Sequence, residues 1–250
     1  MNRRTAISTL ALAAAPAIAG PVGLRLPGGF DPRQIPGLQL WLDASQIVGL
    51  NDGDAVATWS DLSGNGRNAT QSTASQKPIY KTGIKNGLPV VRFDGVDDNL
   101  AGTLSGISGN QPNTIYAVLK MNGDAQCAWA FGTAAVGQGI FFPFRNVGAW
   151  SYGQYAMDIT SASSADANWH QQTGWKSGNP LEVFIDGVSV ASGSPGATNY
   201  TGTTFNVGML LGLGYYLSGD VAEFLFYDSA HDLATRQQVQ NYLKSKWGTP

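Results

Sequence analysis

Twice in this sequence an apolar run stops at Asp-Gly. One instance is P-V-V-R-F-D-G-V-D-D-N-L, Pro89 to Leu100, and the other is L-E-V-F-I-D-G-V-S-V-A-S, Leu181 to Ser192. Asp-Gly between alternating runs signals a tight hairpin, because a type I′ turn needs positive φ at both central residues. A chain punctuated in this way predicts antiparallel sheet. The choice of acids agrees: Glu182 and Glu223 are the only glutamates, and every other acid is an aspartate. Asp favours turns and caps, whereas Glu favours helix surfaces.

The 250 residues suffice for one large all-β domain with a substantial core. Charged residues make up only 13% and the net charge is −2, which leaves no electrostatic footprint for nucleic acid. Cys127 is the only cysteine, so no disulfide forms within the chain, and its C-A-W-A-F setting reads as a small buried apolar residue.

Met1 to Gly20 has Arg3 and Arg4 at its start, an apolar centre over Ala6 to Ala15, and the small-residue pattern Ala17-Ile18-Ala19. This is the layout of an export signal, and the paired arginines resemble a twin-arginine leader. The apolar run is too short to span a membrane. Two readings stay open. Cleavage near Gly20 makes the protein exported or extracellular; retention makes residues 1–20 an arm that packs on a neighbour. Residues 21–37, rich in Gly and Pro, read as a linker, and the domain proper is expected over 38–250.

Within that domain, Leu38, Leu40 and Leu42 alternate with polar neighbours as a strand does. Thr114 to Met121 is a continuous apolar run that predicts a strand buried on both faces. Further strands are expected at Val56 to Ser60, Cys127 to Gly132, Gly139 to Phe144, Trp169 to Trp175, Leu181 to Ala191, Thr203 to Met209 and Val221 to Tyr227. Such spacing points to a sandwich or jelly roll. One helix closes the chain: Asp232 caps it, Val239, Tyr242, Leu243 and Trp247 share a face, and Gly248 and Pro250 end it.

Several of these segments, in this order, resemble the laminin-G-like, concanavalin A-like domains of bacteria and their phages. The resemblance rests on L-Q-L-W-L-D-A (Leu38 to Ala44), W-S-D-L-S-G-N-G-R-N-A-T (Trp59 to Thr70), F-D-G-V-D-D (Phe93 to Asp98), Asn168-Trp169-His170, Phe184-Ile185-Asp186-Gly187, and Gly219 to Glu223 followed by the final helix. It implies an antiparallel β-sandwich jelly roll with one C-terminal helix. It also implies a domain that commonly binds carbohydrate or protein surfaces, sometimes with calcium. Phe184 stands where the family usually has tyrosine. His231 stands where leucine is usual and is expected to loosen the helix start.

Candidate sites follow from residue chemistry. Asp94, Asp97 and Asp98, completed by a distant acid such as Asp220, offer oxygens to calcium, which takes six to eight of them. The simpler reading is a turn whose carboxylates accept backbone N–H groups. Trp150, Tyr152 and Tyr155, interleaved with Gly, Ser and Gln, have the composition of a sugar-stacking surface, although core strands carry aromatics too. Tyr215 and Tyr216 form a weaker second group. Glycoside hydrolysis usually needs two carboxylates, and the hydrolases of this fold usually carry E-x-D-x-E along one strand. Glu182 is followed by Phe184 and Glu223 by Leu225, so neither strand has that pattern, and Glu223 reads as structural. His170 and His231 have no metal-ligand spacing, and Trp169-His170 reads as part of a strand.

Three classes of function therefore compete. The first is a non-catalytic recognition module for glycan or a protein surface. The second is a virion structural protein, a phage decoration or tail component that grips other virion proteins through residues 1–37. The third, with least support, is an enzyme.

Overall fold

The computed structural model describes residues 29–250. The signal-or-arm reading of residues 1–20 and the first part of the linker reading lie outside the described residues. Among the described residues, seventeen strands precede one α-helix. They are β1 (Leu38–Asp43), β2 (Thr58–Trp59), β3 (Ala69–Thr70), β4 (Ile79–Lys85), β5 (Leu88–Asp94), β6 (Leu100–Thr103), β7 (Asn113–Met121), β8 (Gln126–Cys127) and β9 (Trp129–Gly132). After these come β10 (Gly139–Asn146), β11 (Ala149–Gly153), β12 (Ile159–Ser164), β13 (Trp169–Lys176), β14 (Leu181–Ile185), β15 (Val188–Gly193), β16 (Thr204–Val207), β17 (Ser218–Tyr227) and the helix α1 (Leu233–Trp247).

These strands build the expected all-β sandwich. One antiparallel sheet runs β15-β14-β13-β7-β17-β5-β4, with β1 also on β17; the other runs β12-β11-β10-β9-β16-β6-β3-β2, with β8 on β10. The second Asp-Gly does close a hairpin: Ile185 pairs with Val188, and Asp186 and Gly187 have φ of 50° and 82°. The first does not. Gly95 alone has positive φ there, and the chain leaves β5 in one sheet to enter β6 in the other. A second tight hairpin lies at Asn86-Gly87, between β4 and β5.

Apolar side chains sort into three layers. Ile115, Ala117 and Leu119 of β7 join the core between the sheets, with Trp129, Phe131 and Phe226. Tyr116 and Val118 of the same strand face outward, where Val239, Tyr242, Leu243 and Trp247 of α1 cover them. Both faces of β7 are buried, as its sequence predicts. A smaller third cluster, including Phe141, Phe144, Tyr155 and Leu210, sits apart from both cores.

The helix is tied to the sheet by a buried charge cluster. A bulge in β17 between Val221 and Glu223 puts Ala222 and Glu223 on the helix side in succession. Glu223 and Asp43 are then direct neighbours across the β1–β17 pair, two carboxylates side by side. Lys246 of α1 bonds to both, at 2.8 Å to Glu223. Glu223 also accepts from Trp41 Nε1 (2.7 Å), the Tyr242 hydroxyl (2.8 Å) and Trp247 Nε1 (2.6 Å). Burial, then the charge of Glu223, pushes the Asp43 carboxyl up to about 6 against the pull of Lys246. Glu223 is thus structural, as read from its setting.

Two expectations need correction. Residues 29–37 belong to the domain rather than to a linker: Phe30 packs on Tyr242 with ring centroids 5.2 Å apart, and the Tyr227 hydroxyl donates to the Pro32 carbonyl at 3.1 Å. His231 fastens the helix start instead of loosening it. Its ring shares a 2.9 Å hydrogen bond with Tyr116, its N–H donates to Thr114 Oγ1, and its carbonyl accepts from Trp175 and Arg236. Burial lowers its pKa to about 4, which keeps the ring neutral.

Glu223→Ala would leave two indole N–H groups and a phenol without their acceptor in a dry layer, and Lys246 with Asp43 as its one carboxylate. The expected loss is about 3–5 kcal/mol in urea denaturation; a loss below about 1 kcal/mol would contradict the role given to Glu223.

Candidate functional site

Gly148 to Met157 is not a loop of exposed rings. Ala149–Gly153 is strand β11, and strand alternation turns Trp150 and Tyr152 together to the inner face. Trp150 is 3% exposed and Tyr152 fully buried, its hydroxyl bonded to Asn113. These two cannot stack on a sugar, which corrects the expectation for them. Tyr155 lies past the end of β11 and on the opposite side of the sheet, in the third apolar cluster.

There it meets a residue from the weaker group. Tyr155 and Tyr215 line one concavity of about 400 Å³, with Phe141, Phe144, Leu210 and Leu213. Neighbouring rings stand steeply to one another. Tyr155 meets Phe141 at 88°, Phe141 meets Phe144 at 64°, and Phe144 meets Tyr215 at 86°, with centroids 5.2–5.7 Å apart. Such edge-to-face contacts are a favoured geometry for aromatic pairs. Gly153 permits the arrangement, since a Cβ there would run into the Phe141 ring. Tyr155 is fixed from behind by donating to the Leu211 carbonyl at 2.9 Å. The rim is apolar and open: Val136, Leu213 and Tyr215 are 66%, 59% and 42% exposed.

Two polar side chains share the lining, Asn146 and Asp158. Asp158 accepts from the Gln154 N–H at 2.9 Å. Asp158 is exposed, and partial desolvation by its neighbours raises its carboxyl pKa, offset in part by backbone N–H donors from Gln154 and Met157. It has no ion-pair partner among the described residues.

The backbone around this basin is strained. Tyr155, Ala156 and Tyr215 have φ of 53°, 66° and 51°, in the left-handed region that favours glycine. Left-handed non-glycine residues tend to gather at ligand sites, because the fold must hold them there.

The acids group differently. Asp94, Asp97 and Asp98 converge, each with an oxygen within 4.8 Å of the others. Asp94 and Asp98 share a second, polar concavity of about 420 Å³ with Arg92, Lys120 and Asp220. Asp220, however, is gripped at both oxygens by Arg92, at 2.7 and 3.0 Å. Asp94 Oδ1 accepts from the N–H groups of Val96, Asp97 and Asp98, and Asp98 Oδ2 from the N–H of Asp94. Arg92 thus withdraws Asp220 from the calcium shell expected of Asp94, Asp97, Asp98 and Asp220, and Asp94 and Asp98 each give one oxygen to backbone donors. Asp94 Oδ1 caps the turn, as the simpler reading has it, while the Asp97 carboxylate accepts no hydrogen bond from the described residues. Burial, then the Asp94 charge, pushes Asp98 from its ordinary 3.8 up to about 6.

His170 sits in strand β13, bonded to Asp186 at 2.6 Å and Asp166 at 2.9 Å. Burial lowers its pKa, but the two carboxylate bonds outweigh that and the net shift is upward.

No family model matches the chain, and no curated protein matches it. Solved structures do. Domain 4 of the extracellular arabinanase AbnA from Geobacillus stearothermophilus, solved with arabinotriose, is 18% identical at a TM-score of 0.59, over 82% of this chain and 97% of that one. The binding domain of Paraclostridial Mosquitocidal Protein 1 is 13% identical at 0.59, over 86% and 55%. A GH54 α-L-arabinofuranosidase is 14% identical at 0.56, over 77% and 51%. The chain thus spans about half the length of the last two. At these identities the likeness is one of fold.

Two outcomes are expected. Ala156→Gly relieves a left-handed alanine on an exposed turn and should stabilise the protein by about 0.5–1 kcal/mol in thermal melts; destabilisation would contradict the strain. Asp98 holds its proton more tightly folded than unfolded, so its contribution is complete below about pH 4 and is lost as pH rises through about 6. Asp98→Asn should flatten the stability profile over that window relative to wild type, and an unchanged slope would contradict the assignment.

Proposed function

We infer that the protein is a non-catalytic surface-recognition module, a laminin-G-like sandwich that presents the aromatic basin to a glycan. The observation that carries this reading is the basin itself: exposed Tyr215 stands over a floor of Phe141, Phe144 and Tyr155, beside Asn146 and Asp158, at backbone that strain makes costly to keep. Aromatic rings bind the apolar faces of sugar rings, while Asn146 and Asp158 are placed to take hydroxyls. Kinship in fold with a domain solved with arabinotriose, and with a toxin binding domain, supports a binding role.

The acids argue against the hydrolase alternative. Most glycoside hydrolases set two carboxylates on either side of the scissile bond. Asp158 is the only acid lining the aromatic basin, while Asp94, Asp98 and Asp220 are engaged by backbone N–H groups and Arg92. Presentation on a cell surface goes with the export-like arginines at Arg3 and Arg4; presentation on a phage particle goes with a retained arm.

Tyr215→Ala should weaken binding to any recognised glycan at least about tenfold, read by calorimetry after an array screen. Because Tyr215 is 42% exposed, the melting temperature should hardly move. Undiminished binding by this variant would place the site elsewhere.

A further inference from the structure

We propose that the aromatic basin holds an alkylammonium group, with Asp158 as its counter-charge; this rests on the basin being the recognition site and names the chemistry it selects. Among the described residues, no lysine, arginine or histidine lines it, its one charge is the Asp158 carboxylate, and that carboxylate has no ion-pair partner. An anionic ligand would meet repulsion and no compensating cation, and a cation would complete the pair.

The rings make the same selection. A cation within roughly 6 Å of an aromatic centroid is attracted by the negative face of the ring, and groups of rings are the usual receptors for quaternary ammonium. Tyr155, Phe141, Phe144 and Tyr215 turn by 88°, 64° and 86° from one ring to the next and line one concavity, with Tyr215 at its rim and the other three, 6–8% exposed, at its floor. A neutral sugar alone needs one stacking face and many hydrogen-bond partners. This lining supplies several ring walls but only two polar side chains, Asn146 and Asp158. An ammonium bearing methyl or methylene groups matches it better, because its carbon shell meets the rings and its charge meets the acid. The volume of about 400 Å³ is at the lower end of the roughly 300–1,000 Å³ common for small-ligand sites. Two sources carry this chemistry: a quaternary head such as choline, and the free amine of an amino sugar.

The test titrates the full chain by calorimetry with two matched pairs. Choline is compared with 3,3-dimethylbutan-1-ol, its neutral isostere, and glucosamine with N-acetylglucosamine. The proposal expects at least about tenfold preference for the cation in one pair. A choline preference identifies a quaternary source, and a glucosamine preference identifies an amino-sugar source. Asp158→Asn keeps the acceptor for the Gln154 N–H and should erase that preference, while Tyr215→Leu keeps the apolar bulk and should weaken the cation alone. Equal affinity within both pairs, or no binding of any of the four probes, overturns the proposal. The recognition reading then survives if an array identifies a neutral glycan whose binding Tyr215→Ala abolishes, and falls with the proposal if no glycan depends on Tyr215.

Discussion

The fold hangs on one carboxylate. Glu223 sits where β1, β17 and α1 meet, and its two oxygens accept from Trp41, Tyr242, Lys246 and Trp247. Without that arrangement Asp43 and Glu223 would be like charges opposed across paired strands, which destabilises a sheet. With Lys246 between them they fix the helix rotation and the register of β1 together. A buried ion cluster is weak evidence of net stability, since well-packed apolar groups do as well, but removing one member is costly. Here its geometric consequence is plain: it seals one face of the eight-stranded sheet under α1. His231 adds a second clasp at the other end of that helix.

Among the described residues, no helix covers the opposite, nine-stranded sheet. Its inner face joins the central core through Trp129, Phe131, Trp150 and Tyr152. Phe141, Phe144, Tyr155 and Leu210 form a separate cluster instead, bordered by exposed Val136, Leu213 and Tyr215. The basin on which the proposed recognition role rests therefore lies outside both main cores. Rigidity behind the basin and exposure at its rim divide the labour between stability and recognition.

How much of this was legible in the sequence depends on range. Alternation and turn chemistry gave the sandwich, the Asp186-Gly187 hairpin and the capped final helix, because those signals act over a few residues. The Asn86-Gly87 hairpin carried the same signal and passed unused. The spacing of Trp150 and Tyr152, two residues apart, was likewise a strand signal, masked by a composition that also suits binding loops. Asp94-Gly95 misled because a local turn does not say which sheet the chain enters next. The basin joins Phe141, Phe144 and Tyr155, which flank the β10–β11 pair, to Tyr215, which is distant in sequence and meets them only when the sheet forms. Asp158 stood out in no local pattern. Arg92, which withdraws Asp220 from the acidic turn, is 128 residues away from it.

The measurement that tests the account most directly is a residue-resolved NMR titration of the protein with the ligand an array selects. The account predicts shifts concentrated at Tyr155 to Asp158 and Leu210 to Tyr215, with Asp94 to Asn99 unmoved. Shifts centred on Asp94 to Asn99 and Asp220, with the aromatic basin silent, would contradict it.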